Sequence, residues 1–135
     1  MNDMINKALA LATQAHKGQF DKGGEPYISH PIRVSQLVKD DDMKIVALLH
    51  DVVEDTYVTL DDIESEFGIE IAHVVGKLTH DTTIPYMEYI EILSHNKAAR
   101  AVKIADLTDN LSPLRDYKNR KTTKYKEALT YLTNK

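Results

Sequence analysis

Apolar residues recur along most of this chain at the three-to-four-residue spacing of helices. No stretch alternates apolar and polar positions long enough for a sheet. Asp3 to about Lys17 predicts a first helix, capped by Asp3, with Ile5, Ala8, Leu9, Ala12 and Ala15 as its apolar stripe. Gly18 to Pro26 reads as a loop from its Gly, Asp and Pro content. A second helix starts near Ser29 to Pro31, because proline is tolerated in a first turn, and runs to about Val38. Asp40 to Asp42 opens a third, apolar nearly all round through Ile45, Val46, Leu48, Leu49, Val52 and Val53; such a helix belongs inside a core. Thr59, with Asp62 three residues on, is a capping-box start, and Gly68 a stop. Further helices are expected over Ile69 to about Thr79, Pro85 to about Leu93, Lys97 to about Leu111 (ended before Pro113) and Lys121 to Leu132. The last has Tyr125, Leu129 and Leu132 as its stripe. The pattern predicts an all-α, single-domain helical bundle of about eight helices over residues 1–135, with no repeat or linker.

Composition narrows the possible chemistry. At 135 residues the chain suits one domain, and 42% hydrophobic residues are enough for a folded core. It has no Cys, which removes disulfides, thiolate nucleophiles, iron–sulfur clusters and cysteine zinc sites, while six His and 21 acidic residues leave chelation open. The net charge of −4 argues against a general nucleic-acid partner. No apolar run approaches the roughly 20 residues of a membrane span. The opening Met1 to Lys7 has no charged-then-apolar signal pattern. A cytoplasmic protein acting away from membranes is the expectation. No Gly-rich loop follows a strand, which sets aside P-loop and dinucleotide folds.

The third helix carries the anomaly. Its apolar surface is interrupted by His50-Asp51 and then by Glu54-Asp55. Burying ionisable groups among aliphatics is costly unless something compensates, and a divalent cation is the simplest compensation. Helical spacing sets Glu54 one turn after His50, and Asp55 one turn after Asp51. His50 and Asp51 can bind the ion, leaving Glu54 and Asp55 to handle water or protons. Two ligands are too few; His30, just before a helix that should pack beside the third, and Asp106, a lone acid on an apolar stretch, are the candidates elsewhere. Two His and two Asp suit a first-row metal such as Mn²⁺, Fe²⁺ or Zn²⁺.

His30, His50-Asp51 and the distant Asp106 resemble, in order and context, the H…HD…D pattern of HD-domain metal phosphohydrolases. Ala15 to Gln19, Gly24 to Pro31, Ala47 to Thr56, Phe67-Gly68 and Val102 to Asn110 are similar to the hydrolase domain of RelA/SpoT-type enzymes. The likeness covers Lys7 to Arg115 and is strongest to short stand-alone bacterial members, which also carry text like Tyr86 to Ile90 and Arg100. It implies a bundle of the HD-domain type and removal of the 3′-pyrophosphate from ppGpp and pppGpp. It implies one divalent metal ion, Mn²⁺ first, with Fe²⁺, Zn²⁺, Co²⁺ or Ni²⁺ as alternatives. It further implies His30, His50, Asp51 and Asp106 as metal ligands and Glu54 and Asp55 as the catalytic pair. Asn110 and Lys103, one turn either side of Asp106, and Lys17, Lys22 and Arg100 are candidate contacts for an anionic nucleotide.

The chain departs from the long alarmone hydrolases at Asp21 and Leu107, where those usually carry basic residues, and at Tyr86 to Glu88. These departures favour a second reading, a phosphatase of another nucleotide such as a nucleoside monophosphate or NADPH. A third is a non-catalytic nucleotide- or metal-sensing module, against which Glu54 and Asp55 speak. The second His-Asp dipeptide, His80-Asp81, lacks the apolar context and is expected at the surface, as are His73 and His95. His16 fits either a helix-dipole contact or a functional role. Tyr86 and Tyr89 are expected in the core or at its rim.

Overall fold

The structure is a computed structural model and describes residues 2–112 and 122–134. Among these, α1 (Asp3–Ala15), α2 (Ser29–Gln36), α3 (Asp41–Leu49), α4 (Val52–Asp55), α5 (Leu60–Phe67), α6 (Ile69–Leu78), α7 (Tyr86–Ser94), α8 (Lys97–Asn110) and α9 (Thr122–Thr133) follow one another. The only extended pairing among them is an isolated bridge from Phe20 to Pro26, which closes the expected loop into a tight hairpin. Pro113, Arg115 and Lys121 lie outside the described residues.

α3 is the hub. Ile45 to Leu49 are five consecutive buried residues, so this helix has no solvent face along its second half. It packs against α1, α2, α6 and α8. Ala8 and Ala12 of α1 are small enough to bring that helix close, and Val34 of α2 and Val102 of α8 complete the contact. α9 covers α8 and α7 through Ala128 and Leu132.

The chain punctuates these helices mostly as anticipated. Thr59 and Asp62 form a reciprocal capping box, and Gly68 sits at φ 95°, a conformation costly for any residue with a Cβ. Two details differ. The cap of α1 is Asn2, whose side chain accepts from the Met4 amide at 2.8 Å, rather than Asp3. The expected third helix is two: α3 stops at Leu49, and a single turn, α4, resumes at Val52. The break falls on His50-Asp51. Both residues keep near-helical backbone angles, φ −62° and ψ −28° at His50 and φ −102° and ψ −4° at Asp51, so the chain loosens there without reversing direction.

Leu49 is fully buried where α3 meets its neighbours. Leu49→Ala should therefore cost about 2–5 kcal/mol, read as a lower urea midpoint with an unchanged slope.

Candidate metal centre and its pocket

The break at the end of α3 delivers His50 and Asp51; the first turn of α2 delivers His30; the buried side of α8 delivers Asp106. One ligand atom from each lies within 4.8 Å of every other. The His30 Nε2 is 2.7 Å, and the His50 Nε2 3.1 Å, from the Asp106 Oδ1. The Asp51 Oδ2 is 3.1 Å from the His50 Nε2 and 3.8 Å from the His30 Nε2. The four residues singled out from the sequence thus converge, 76 positions separating His30 from Asp106.

Partners outside the cluster decide which ring nitrogen faces in. The His30 Nδ1 is 2.6 Å from the Asp109 Oδ2, and the His50 Nδ1 contacts the backbone carbonyl of Ala47. Both partners only accept, so both Nδ1 atoms carry the hydrogen. In the neutral imidazoles each Nε2 then presents a lone pair inward. Asp51 and Asp106 present lone pairs to the same point. Four acceptors facing one another need a positive charge between them, and this donor set fits a first-row divalent cation. Protons are the other source of that charge. Burial, the largest influence, pushes the His30 and His50 pKa values down, yet the surrounding carboxylates outweigh it and raise both. Asp51 and Asp106 move the other way. Burial favours their neutral forms, but the cationic partners, His50 for one and Lys103 with His50 for the other, hold both below the usual range.

Asp109 escaped the sequence reading. It is buried and also accepts from Arg33, at 2.7 Å through Nε. Its signal was its place one turn after Asp106 on an apolar helix. Tyr27 was missed as well; its hydroxyl donates at 2.7 Å to the Asp51 Oδ2, the same oxygen that faces the two imidazoles.

His30, Asp51 and Asp106 of the cluster line a cavity of about 440 Å³, a volume usual for small-molecule sites. Glu54 and Asp55 line it from α4 on its open side, and Asp51, Glu54 and Asp55 are close enough to act together. Lys103 donates to the Asp106 Oδ2 at 3.0 Å. Its ammonium also lies 5.4 Å from the Tyr89 ring centre and 5.9 Å from that of Tyr86. Lys22 and Asn110 line the cavity too, whereas Lys17 and Arg100 are not part of its wall. Besides Tyr27, the wall includes Phe20, His80, Lys124 and Tyr125, none of which the sequence singled out for it.

His80 is a correction to the expected surface dipeptide. Asp81 is exposed, but the His80 backbone N–H donates to Glu54, and its ring stacks against Tyr89 at 4.5 Å. Tyr89 is core, donating to the Leu78 carbonyl, and Tyr86 is rim. His73 and His95 are exposed as expected. The departures sort themselves as well. Leu107 is fully buried and is not part of the cavity wall, so its identity concerns packing. Asp21 does line the cavity, and its Oδ1 accepts from the Gly23 and Glu25 amides to shape the hairpin.

Burial is the main cause that raises the pKa of both Glu54 and Asp55, with the Asp51 charge adding to it. Carboxylates whose folded pKa exceeds the unfolded one destabilise the fold when ionised. That cost is present at neutral pH and disappears as pH falls through the raised values. Glu54→Gln and Asp55→Asn are therefore expected to raise the thermal midpoint of the metal-free protein at neutral pH, with the gain shrinking in acid. Thermal denaturation across pH checks this.

Comparison with known proteins agrees with this geometry. The HD domain family matches residues 8–131. The guanosine-3′,5′-bis(diphosphate) 3′-pyrophosphohydrolase MESH1 of Xenopus tropicalis is 35% identical over 125 residues, 85% of this chain and 70% of that protein. Its Homo sapiens counterpart is 37% identical over 121 residues, 80% of this chain and 68% of that one. A solved structure described as a metazoan ortholog of SpoT that hydrolyses ppGpp superposes with a TM-score of 0.76 at 25% identity, covering 98% of this chain and 86% of that one.

Proposed function

The chain belongs to the HD domain family, and from that footing we propose that it is a metal-dependent hydrolase removing the 3′-pyrophosphate of guanosine 3′,5′-bis(diphosphate). The observation that carries this reading is the inward-facing set of His30, His50, Asp51 and Asp106 beneath the Glu54-Asp55 pair, in a cavity whose wall bears lysines. The relatives and the solved structure that act on this nucleotide support the substrate. The helices from Asp3 to Thr133 work as one hydrolase domain.

In this reading His30 and His50 through Nε2, and Asp51 and Asp106 through one oxygen each, hold a single divalent ion, Mn²⁺ before Fe²⁺, Zn²⁺, Co²⁺ or Ni²⁺. When bound, such an ion lowers the pKa of a coordinated water and draws charge from phosphoryl oxygens. Glu54 and Asp55 orient the attacking water and take its proton. Their raised pKa values bring them nearer the working pH, where a general base is most effective. Asp109 fixes the His30 ring so that Nε2 stays turned inward. Lys103 and Lys22 offset the charge of the pyrophosphate, and Asn110, 3.4 Å from Asp106, offers its amide beside it.

The test is to incubate Mn²⁺-loaded protein with ppGpp and resolve the products. GDP and pyrophosphate are expected. Inorganic phosphate released from a nucleoside monophosphate or NADPH instead would move the protein to the phosphatase reading. Binding without turnover of any nucleotide would make it a sensing module.

Three variants test the roles. Asp106→Ala should abolish stoichiometric Mn²⁺ binding in titration calorimetry. Asp109→Asn should weaken it about 10–100-fold, as loss of a ligand's outer partner typically does. Glu54→Gln should keep the metal and lose about 10²–10⁴-fold in turnover; a fully active variant would remove Glu54 from the mechanism.

A further inference from the structure

The catalytic pair stands on a weak support. α4 is a single turn of four residues, too short to be stable through its own hydrogen bonds. Its last carbonyl, that of Asp55, has no successor within the helix. The Gln19 side chain supplies the missing partner, its Nε2 donating to the Asp55 carbonyl at 2.9 Å. Gln19 lies 36 positions away, on the hairpin after α1.

A second contact orients that amide. The His16 Nδ1 is 2.9 Å from the Gln19 Oε1. Because Gln19 must turn its nitrogen to Asp55, its oxygen faces His16, and the His16 Nδ1 carries the hydrogen. The His16 ring cannot swing away: it is 2% exposed and packs on Tyr27, centre to centre 4.9 Å. Tyr27 in turn donates to Asp51. The Gln19 backbone is pinned from both sides, its N–H donating to the His16 carbonyl at 3.0 Å and its carbonyl accepting from Tyr27 at 2.9 Å. A half-exposed glutamine on a loop is thus held as firmly as a core residue.

We propose that His16 and Gln19 are positioning residues. His16 sets the Gln19 amide, and the Gln19 amide clamps the carbonyl end of α4, so that Asp55 is presented to the attacking water. The proposal rests on the catalytic reading of Asp55 given above. His16 acts through Gln19, and neither residue has to touch substrate. The His16 Nε2 is buried without a partner, a cost that a ring chosen only to fill space would avoid. Phenylalanine would pack there without that cost and would leave Gln19 free to turn.

The experiment compares Gln19→Leu, His16→Phe, His16→Asn and His16→Gln with the wild type. An asparagine amide can stand in for Nδ1–H; a glutamine amide falls nearer Nε2. Two quantities are read: amide hydrogen exchange at Asp55 and Thr56, and the kcat and KM for ppGpp with Mn²⁺ content measured alongside. Gln19→Leu and His16→Phe should speed exchange at these amides by about tenfold or more. They should lower kcat by about ten- to a hundredfold, the scale of a misplaced group, with KM and metal content unchanged. His16→Asn should restore both; His16→Gln should not. In an Asp55→Asn background, Gln19→Leu should lower kcat no further.

Unchanged exchange in Gln19→Leu, which lies on a loop and leaves the core intact, would overturn the clamp whatever the activity. Faster exchange with wild-type kcat, while Asp55→Asn alone is slow, would also overturn it and leave the catalytic reading of Asp55 standing. A fully active Asp55→Asn would overturn both. A wild type without turnover would remove the proposed substrate, and the exchange measurement would still decide the clamp.

Discussion

Four electron-rich atoms aimed at one point inside an apolar bundle are the constraint from which the rest of the molecule follows. Two imidazole nitrogens and two carboxylate oxygens repel one another in a low dielectric unless a positive charge lies between them. Everything nearby serves to keep them aimed. Ala47 and Asp109 fix the two rings, Tyr27 occupies one oxygen of Asp51, and Lys103 occupies one oxygen of Asp106. The helices behind them supply rigidity: α3, buried over its second half, cannot shift without disturbing α1, α2, α6 and α8 together.

Much of this is legible in the sequence itself. Helical periodicity and caps gave element types, because each depends on neighbours a few residues apart. His50, Asp51 and Asp106 were visible as ionisable residues in apolar surroundings, an anomaly that needs only the local sequence to detect, and His30 by its place just before a helix expected beside the third. What stayed hidden needed distance in the chain. Nothing local marks Asp109 as the partner of His30, or Gln19 as the partner of Asp55. The break at His50-Asp51 was missed for a related reason. Local pattern favours an unbroken helix there, and the backbone angles of His50 and Asp51 depart from helical values too little for the sequence to mark the break. The same logic explains His80, whose dipeptide looks superficial while its backbone reaches across to Glu54.

Placement of the acid pair on α4 shows a familiar compromise between stability and use. Ionised carboxylates beside Asp51 are unfavourable, and burial makes them more so. A longer helix would have carried them more securely. They stand instead on a single turn held from outside, by Gln19 at one end and by the His80 backbone at Glu54.

Leu107 draws attention to the double reading of α8. Lys103, Asp106 and Asn110 look into the cavity, while Val102 and Leu107, on the two flanks of that strip, are buried in the interior. An engineer wishing to retune which anion this vessel accepts would gain nothing from an arginine at 107, where it would wreck the bundle. The adjustable electrostatics sit elsewhere on the wall, at Asp21 of the hairpin and Tyr86 at the head of α7, neither of which is fully buried, with the hairpin bonds of Asp21 to Gly23 and Glu25 as the constraint to respect.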